Sequence, residues 1–166
     1  MTAFLIEDQK SFTAGLFLGG LFDAFLVREA EIVTFNRFSL DGRVRQGYYS
    51  DEELEEKRIE EYSAWPVVKP VCYSLIKGKR LPESFRIVFM LSPGAKEAFL
   101  ARCAAGMAPE SVGGLYLNVS YENGEMHCVT GLSMNVFTLD KTLEREWDLE
   151  AGRFLKENGI AASSVE

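Results

Sequence analysis

Between Gly113 and Leu139, apolar and polar residues alternate on both sides of Asn123-Gly124. An Asn-Gly pair between alternating runs is the strongest short-range hairpin signal, because a type I′ turn needs positive φ at both central residues. With those two residues as the turn, the register follows. Glu122 faces Glu125, Tyr121 faces Met126, Ser120 faces His127, Val119 faces Cys128 and Leu117 faces Thr130. Every second residue shares a face, so Leu115, Leu117, Val119, Tyr121, Met126 and Cys128 form an apolar side. Asn118, Ser120, Glu122, Glu125 and His127 lie on the polar one. A sheet apolar on one side must be covered there, so helices are expected over that face.

The rest of the chain reads in order from the same patterns. Ala3 to Glu7 is a short strand. Asp8 caps a helix to about Leu18, with Phe12, Leu16 and Phe17 on one side and Gly19-Gly20 as its stop. From Phe25 a long alternating run exceeds a usual strand, so a bulge or turn is expected near Phe35–Arg37. Asp41-Gly42 marks a second tight hairpin, returning through Val44 to Tyr48-Tyr49. Ser50 and Glu53 form a capping box for a helix from Asp51 to about Tyr62, with Leu54, Ile59 and Tyr62 as its apolar stripe. Trp65-Pro66 breaks the chain. A helix starting at Pro66 or Pro70 then runs to Lys77, with Gly78 as an αL cap. Phe85 to Leu91, apolar on both parities, reads as a central strand. Ser92-Pro93 opens a helix to Cys103 that ends by Gly106, and a loop leads to the hairpin. Ser133 to Leu139 is expected to add one more strand. Asp140 to Asn158 carries Leu143, Trp147, Ala151 and Phe154 at helical spacing before Gly159, and the segment beyond is read as frayed.

These elements describe an α+β fold, an antiparallel sheet with helices on one face, in a single domain over residues 1–166. The order is strand–helix–strand–strand–strand twice, over about 3–49 and 85–139. A helical insert at 50–80 separates the halves and an amphipathic helix follows them. Several segments carry a resemblance: Thr34-Phe35-Asn36 with Leu40-Asp41-Gly42, Tyr49-Ser50, Lys69-Pro70, Leu75-Ile76-Lys77-Gly78-Lys79, Tyr121-Glu122-Asn123-Gly124 and Thr138-Leu139-Asp140-Lys141. In these words the chain resembles a small bacterial family of unknown function, which supplies no activity to carry over. In element order alone it is similar to one domain of the DNA sliding clamps. That resemblance implies helices offering Lys and Arg to phosphates. The corresponding helices here carry Asp8 and Lys10, then Lys96, Glu97 and Arg102, which is close to neutral. Fold does not imply function, and the DNA role is set aside.

Composition narrows the function classes. A length of 166 residues with 47% hydrophobic and 26% charged residues suits one globular domain with a real core. The net charge of −7 argues against general nucleic-acid binding. Leu16 to Val27 is apolar but too short to span a bilayer and is interrupted by Gly19-Gly20 and Asp23, so no membrane association is expected. Cys72, Cys103 and Cys128 are far apart and form no C-x-x-C pair; they read as reduced thiols of a cytoplasmic protein, with no metal and no cofactor implied.

Candidate chemistry is sparse. His127 opposite Ser120 raises a nucleophile–base pair, but the register sets no acidic residue to orient the imidazole, and no nucleophile elbow is present. His127 and Cys128 point to opposite faces and cannot share a metal. Lys77-Gly78-Lys79 lacks the other residues of a phosphate loop, and Gly19-Gly20 and Gly113-Gly114 read as breakers. Trp147 is expected to dock the last helix on the sheet, while Trp65 is a candidate for an exposed interaction surface. The main local feature is charge. Residues 51–62 hold seven acidic residues against Lys57 and Arg58, whereas 62–91 hold Lys69, Lys77, Lys79, Arg80 and Arg86 against Glu83. Lys69, Lys77, Lys79 and Arg80 are the candidate site for an anionic ligand or partner; the competing reading pairs them with the acidic helix. The expected function is a non-catalytic binding or assembly module, with a protein partner or a second copy as possible occupants. The alternatives are a small enzyme or ligand binder whose site joins distant residues, and a clamp-like accessory to nucleic-acid processing.

Overall fold

Asp8, Ser50 and Ser92 each stand one residue ahead of a helix, and each side chain accepts a first-turn backbone N–H. The donors are Ser11 at 3.0 Å, Glu53 at 3.1 Å and Ala95 at 3.2 Å. In the computed structural model, which describes residues 1–103 and 106–165, the elements in chain order are β1 (Ala3–Ile6), α1 (Gln9–Phe17), β2 (Leu26–Val33), β3 (Arg37–Asp41), α2 (Asp51–Glu56), α3 (Trp65–Ile76), β4 (Ser84–Met90), α4 (Pro93–Arg102), β5 (Val112–Glu122), β6 (Glu125–Met134), α5 (Thr142–Glu157) and β7 (Ala162–Val165). The strands form one antiparallel sheet in the order β3-β2-β4-β5-β6-β1-β7. The buried residues of α1, α3, α4 and α5 join the inward strand residues in a single core, giving the expected α+β architecture.

The Asn123-Gly124 turn forms as its residues require, with φ of 53° and 77°. All five cross-strand pairs expected from it are present. Thr130, on the buried side of β6, is 1% exposed and satisfied by Asp148 of α5, so the one polar residue of that face also ties a helix down. The β2–β3 turn falls at 34–36, where a break was expected, and an additional bulge between Val27 and Glu29 leaves Arg28 out of the ladder.

Five local expectations are corrected. Asp41-Gly42 does not make a hairpin. The Gly42 N–H donates to the Arg28 carbonyl at 2.9 Å, and its own carbonyl accepts from Ser63, also at 2.9 Å. Residues 42–44 therefore lie beside 61–63, and no strand occupies 44–49. The acidic helix stops at Glu56, because Arg58 turns left-handed at φ 49°. The helix after it begins at Trp65 and keeps Pro70 inside; Lys77 leaves it extended and Gly78 sits at φ 130°, outside the αL region. Residues 135–139 add no separate strand. β6 is one strand to Met134, after which Phe137 and Leu139 stand exposed. Beyond Gly159 the segment read as frayed forms β7 against β1.

Aromatic packing dominates the core. Phe22 stacks on Phe89 with centroids 4.3 Å apart, and Trp65 meets Phe17 and Phe89 edge-on. Trp65 is fully buried, contrary to its reading as an exposed contact, and its indole N–H donates to the Leu16 carbonyl at 2.9 Å. Trp147 docks α5 as expected, donating to the Tyr116 carbonyl at 2.9 Å and packing edge-on against Phe99.

A methyl group on Gly42 would lie 1.8 Å from the Val27 carbonyl oxygen, whereas one on Gly47 would meet nothing. Gly42→Ala is expected to destabilise by about 2 kcal/mol or more in urea unfolding, and Gly47→Ala by less than about 0.5 kcal/mol. Equal stabilities would contradict the close approach of residues 42–44 to β2.

Candidate functional site

The outward side of α1 and the last turn of α3 form two walls of a cleft. α1 contributes Lys10, Thr13, Ala14 and Phe17, and α3 contributes Tyr73 and Ile76. The loop that leaves α3, through Gly78, Arg80, Leu81 and Pro82, forms a third wall. The sheet closes the base with Phe85, Tyr121 and Met126, on the apolar face that the hairpin pattern defined. The cleft, open to solvent, has a volume of about 480 Å³. Phe85 and Tyr121, paired across β4 and β5, have their rings stacked with centroids 5.7 Å apart. The hairpin turn is held to the helix wall by Gln9, which donates to the Gly124 carbonyl at 2.7 Å.

Among the described residues the charged groups of this cleft have one sign: Lys10 and Arg80 line it and no carboxylate does. Lys77 and Lys79 are exposed on the same loop. None of these four makes an ion pair among the described residues; the acidic helix α2 pairs its Glu53 with its own Lys57. The structure thus brings Arg80 into the cleft, sets Lys77 and Lys79 beside it in the chain, and separates Lys69. Lys69 reaches Asp23 at 2.6 Å and the Gly19 carbonyl at 2.9 Å with only 16% of its side chain exposed, so it locks α3 to the end of α1. The sequence showed the basic loop but gave no sign of Lys10, Thr13 or Phe17 opposite it. Tyr121 and Met126 were visible only as the turn end of an apolar face.

The other candidates do not assemble. Ser120 and His127 are paired across the strands with no side-chain hydrogen bond between them among the described residues. The His127 Nε2 lies 3.7 Å from Glu125 Oε2, on the sheet face opposite the cleft. Cys72 and Cys128 are buried, and burial pushes their thiols up to about 11 and about 12. Cys103 is half-buried at the end of α4. No group of three or more His, Cys, Asp or Glu suited to a metal ion occurs among the described residues.

Fold and cleft define an α+β protein: an open seven-stranded antiparallel sheet with an apolar, cation-rimmed hollow under its helices. The chain belongs to a family of unknown function, DUF5721, whose model matches residues 15–163. No curated protein and no solved structure matches it.

Since the thiolate is the reactive form, a raised thiol pKa slows alkylation at a given pH. In native buffer near neutral pH, iodoacetamide is expected to label Cys103 first and to spare Cys72 and Cys128 until denaturant is added. Peptide mass spectrometry reads the order, and early labelling of Cys128 would contradict the packing of β6.

Proposed function

We propose that this protein is a non-catalytic binding module and that the cleft between α1, α3 and the 78–82 loop holds a small amphiphilic anion. The supporting observation is the contrast between an apolar base, Phe17, Ile76, Phe85 and Met126, and a rim whose charged lining groups among the described residues are Lys10 and Arg80. A volume of about 480 Å³ suits a small-molecule site. In a chain of net charge −7, a hollow lined among the described residues by two cations and no acid, with Lys77 and Lys79 exposed on the loop that forms one wall, is a local reversal of field that favours anions. An apolar body would gain from burial, roughly 25 cal/mol per Å², while its head group meets the ammonium and guanidinium donors. Among the described residues the lining offers hydroxyls from Thr13, Tyr73 and Tyr121 but no His, Cys, Asp or Glu, which supports binding rather than catalysis.

The three free cysteines support a reducing, cytoplasmic setting. No helix among the described residues is long and apolar enough to cross a membrane.

Isothermal titration with decanoate tests the reading, decanol serving as the uncharged analogue. Wild type is expected to bind decanoate saturably and decanol more weakly. The double variant Lys10→Glu, Arg80→Glu should lose about tenfold or more in affinity, roughly 1.4 kcal/mol. Lys77→Glu with Lys79→Glu should lose less, with an effect that fades as salt screens it. Equal affinity for decanol, or charge reversal without effect, would refute the assignment.

A further inference from the structure

At the opposite end of β4 and β5, a second cleft of about 360 Å³ is built from segments far apart in sequence. The bulge in β2 takes Arg28 out of the strand ladder, and bulges of this kind re-aim a side chain. Arg28 swings over Tyr116 of β5. Its Nη1 donates to the Tyr116 hydroxyl at 2.8 Å, and its guanidinium carbon lies 5.3 Å from the ring centroid. Tyr116 can reach that place only because residue 114 is glycine: a Cβ there would stand 2.4 Å from the Tyr116 hydroxyl oxygen. The Gly113-Gly114 pair thus has a purpose beyond breaking a pattern. From the other side, Lys96 of α4 enters half-buried, its ammonium donating to the Val112 carbonyl at 2.9 Å.

Neither cation meets a carboxylate among the described residues. The acidic group of the lining, Glu61, lies 3.4 Å from Arg43. Arg28 spends one N–H on Tyr116 and Lys96 one on a carbonyl, which leaves most of their donors unmatched. A half-buried ammonium with one neutral acceptor is poorly compensated, and the guanidinium fork of Arg28, lining the same cleft, completes a donor set that suits a tetrahedral oxyanion. The space exceeds what a bare oxyanion fills, and Tyr62 and Tyr116 line it with aromatic surface. We infer that this cleft binds a small organic phosphate ester, with Arg28 and Lys96 on the phosphate and the tyrosines beside its organic part. None of these residues lines the amphiphile cleft, so the two assignments fail independently.

The test is titration of the full chain with inorganic phosphate and with ribose 5-phosphate, for wild type, Arg28→Gln, Lys96→Gln and the Lys10→Glu, Arg80→Glu variant. Wild type is expected to bind both, the ester more tightly. Arg28→Gln and Lys96→Gln should each lower the ester affinity about tenfold, and the Lys10→Glu, Arg80→Glu variant should match wild type. Arg28 is exposed, so its variant keeps the test valid if Lys96→Gln unfolds. Absence of saturable ester binding, unchanged affinity in Arg28→Gln, or loss confined to the Lys10→Glu, Arg80→Glu variant would overturn the assignment.

Discussion

The indole of Trp65 ties the helices to the sheet, and the cleft depends on that tie. Its N–H satisfies the carbonyl of Leu16 in the last turn of α1, one of the acceptors a helix end leaves open. Its ring fills the space between Phe17 of α1 and Phe89 of β4. The backbone just ahead of it is also fixed, since Trp65 N–H donates to the Phe25 carbonyl and Val27 N–H to that of Ser63. Lys69, one turn on, adds an ion pair to Asp23. α3 is thus pinned by its first half. Its last turn, at Tyr73 and Ile76, stands across from α1 with the hollow between them.

The distribution of charge carries the second half of the account. Arg37, Arg43, Arg45, Arg86 and Arg153 are all held by carboxylates on the surface, where such pairs contribute little stability. Lys10, Lys77, Lys79 and Arg80 around the first cleft and Arg28 and Lys96 in the second make no such pair among the described residues. The acidic balance of the chain therefore conceals two basic hollows at opposite ends of β4 and β5, one mostly apolar and one rich in polar donors.

How much of this the residues disclose depends on how local each decision is. Asn123-Gly124 specified its turn, its register and two faces of the sheet, because a type I′ turn is settled by the two residues that make it. Asp41-Gly42 carries the same signal and misleads. There the glycine admits a close approach of the Val27 carbonyl, a contact between β2 and a distant loop that no local pattern records. The bulge at Arg28 is hidden for the same reason. Lys77, Lys79 and Arg80 were legible as a charged loop, yet Lys69 looks identical in sequence and is structural. The helix wall opposite them belongs to a segment about sixty residues earlier, and only the fold joins the two.

The most direct test of the central claim maps where an amphiphilic anion sits. Amide chemical shifts of the isotope-labelled protein, followed as decanoate is added, should move for Thr13, Ala14, Gly78, Leu81 and Tyr121. Ser120 and His127, on the far face of the same hairpin, should stay in place. Shifts absent from the first group, or largest in the second, would contradict the cleft as the binding site.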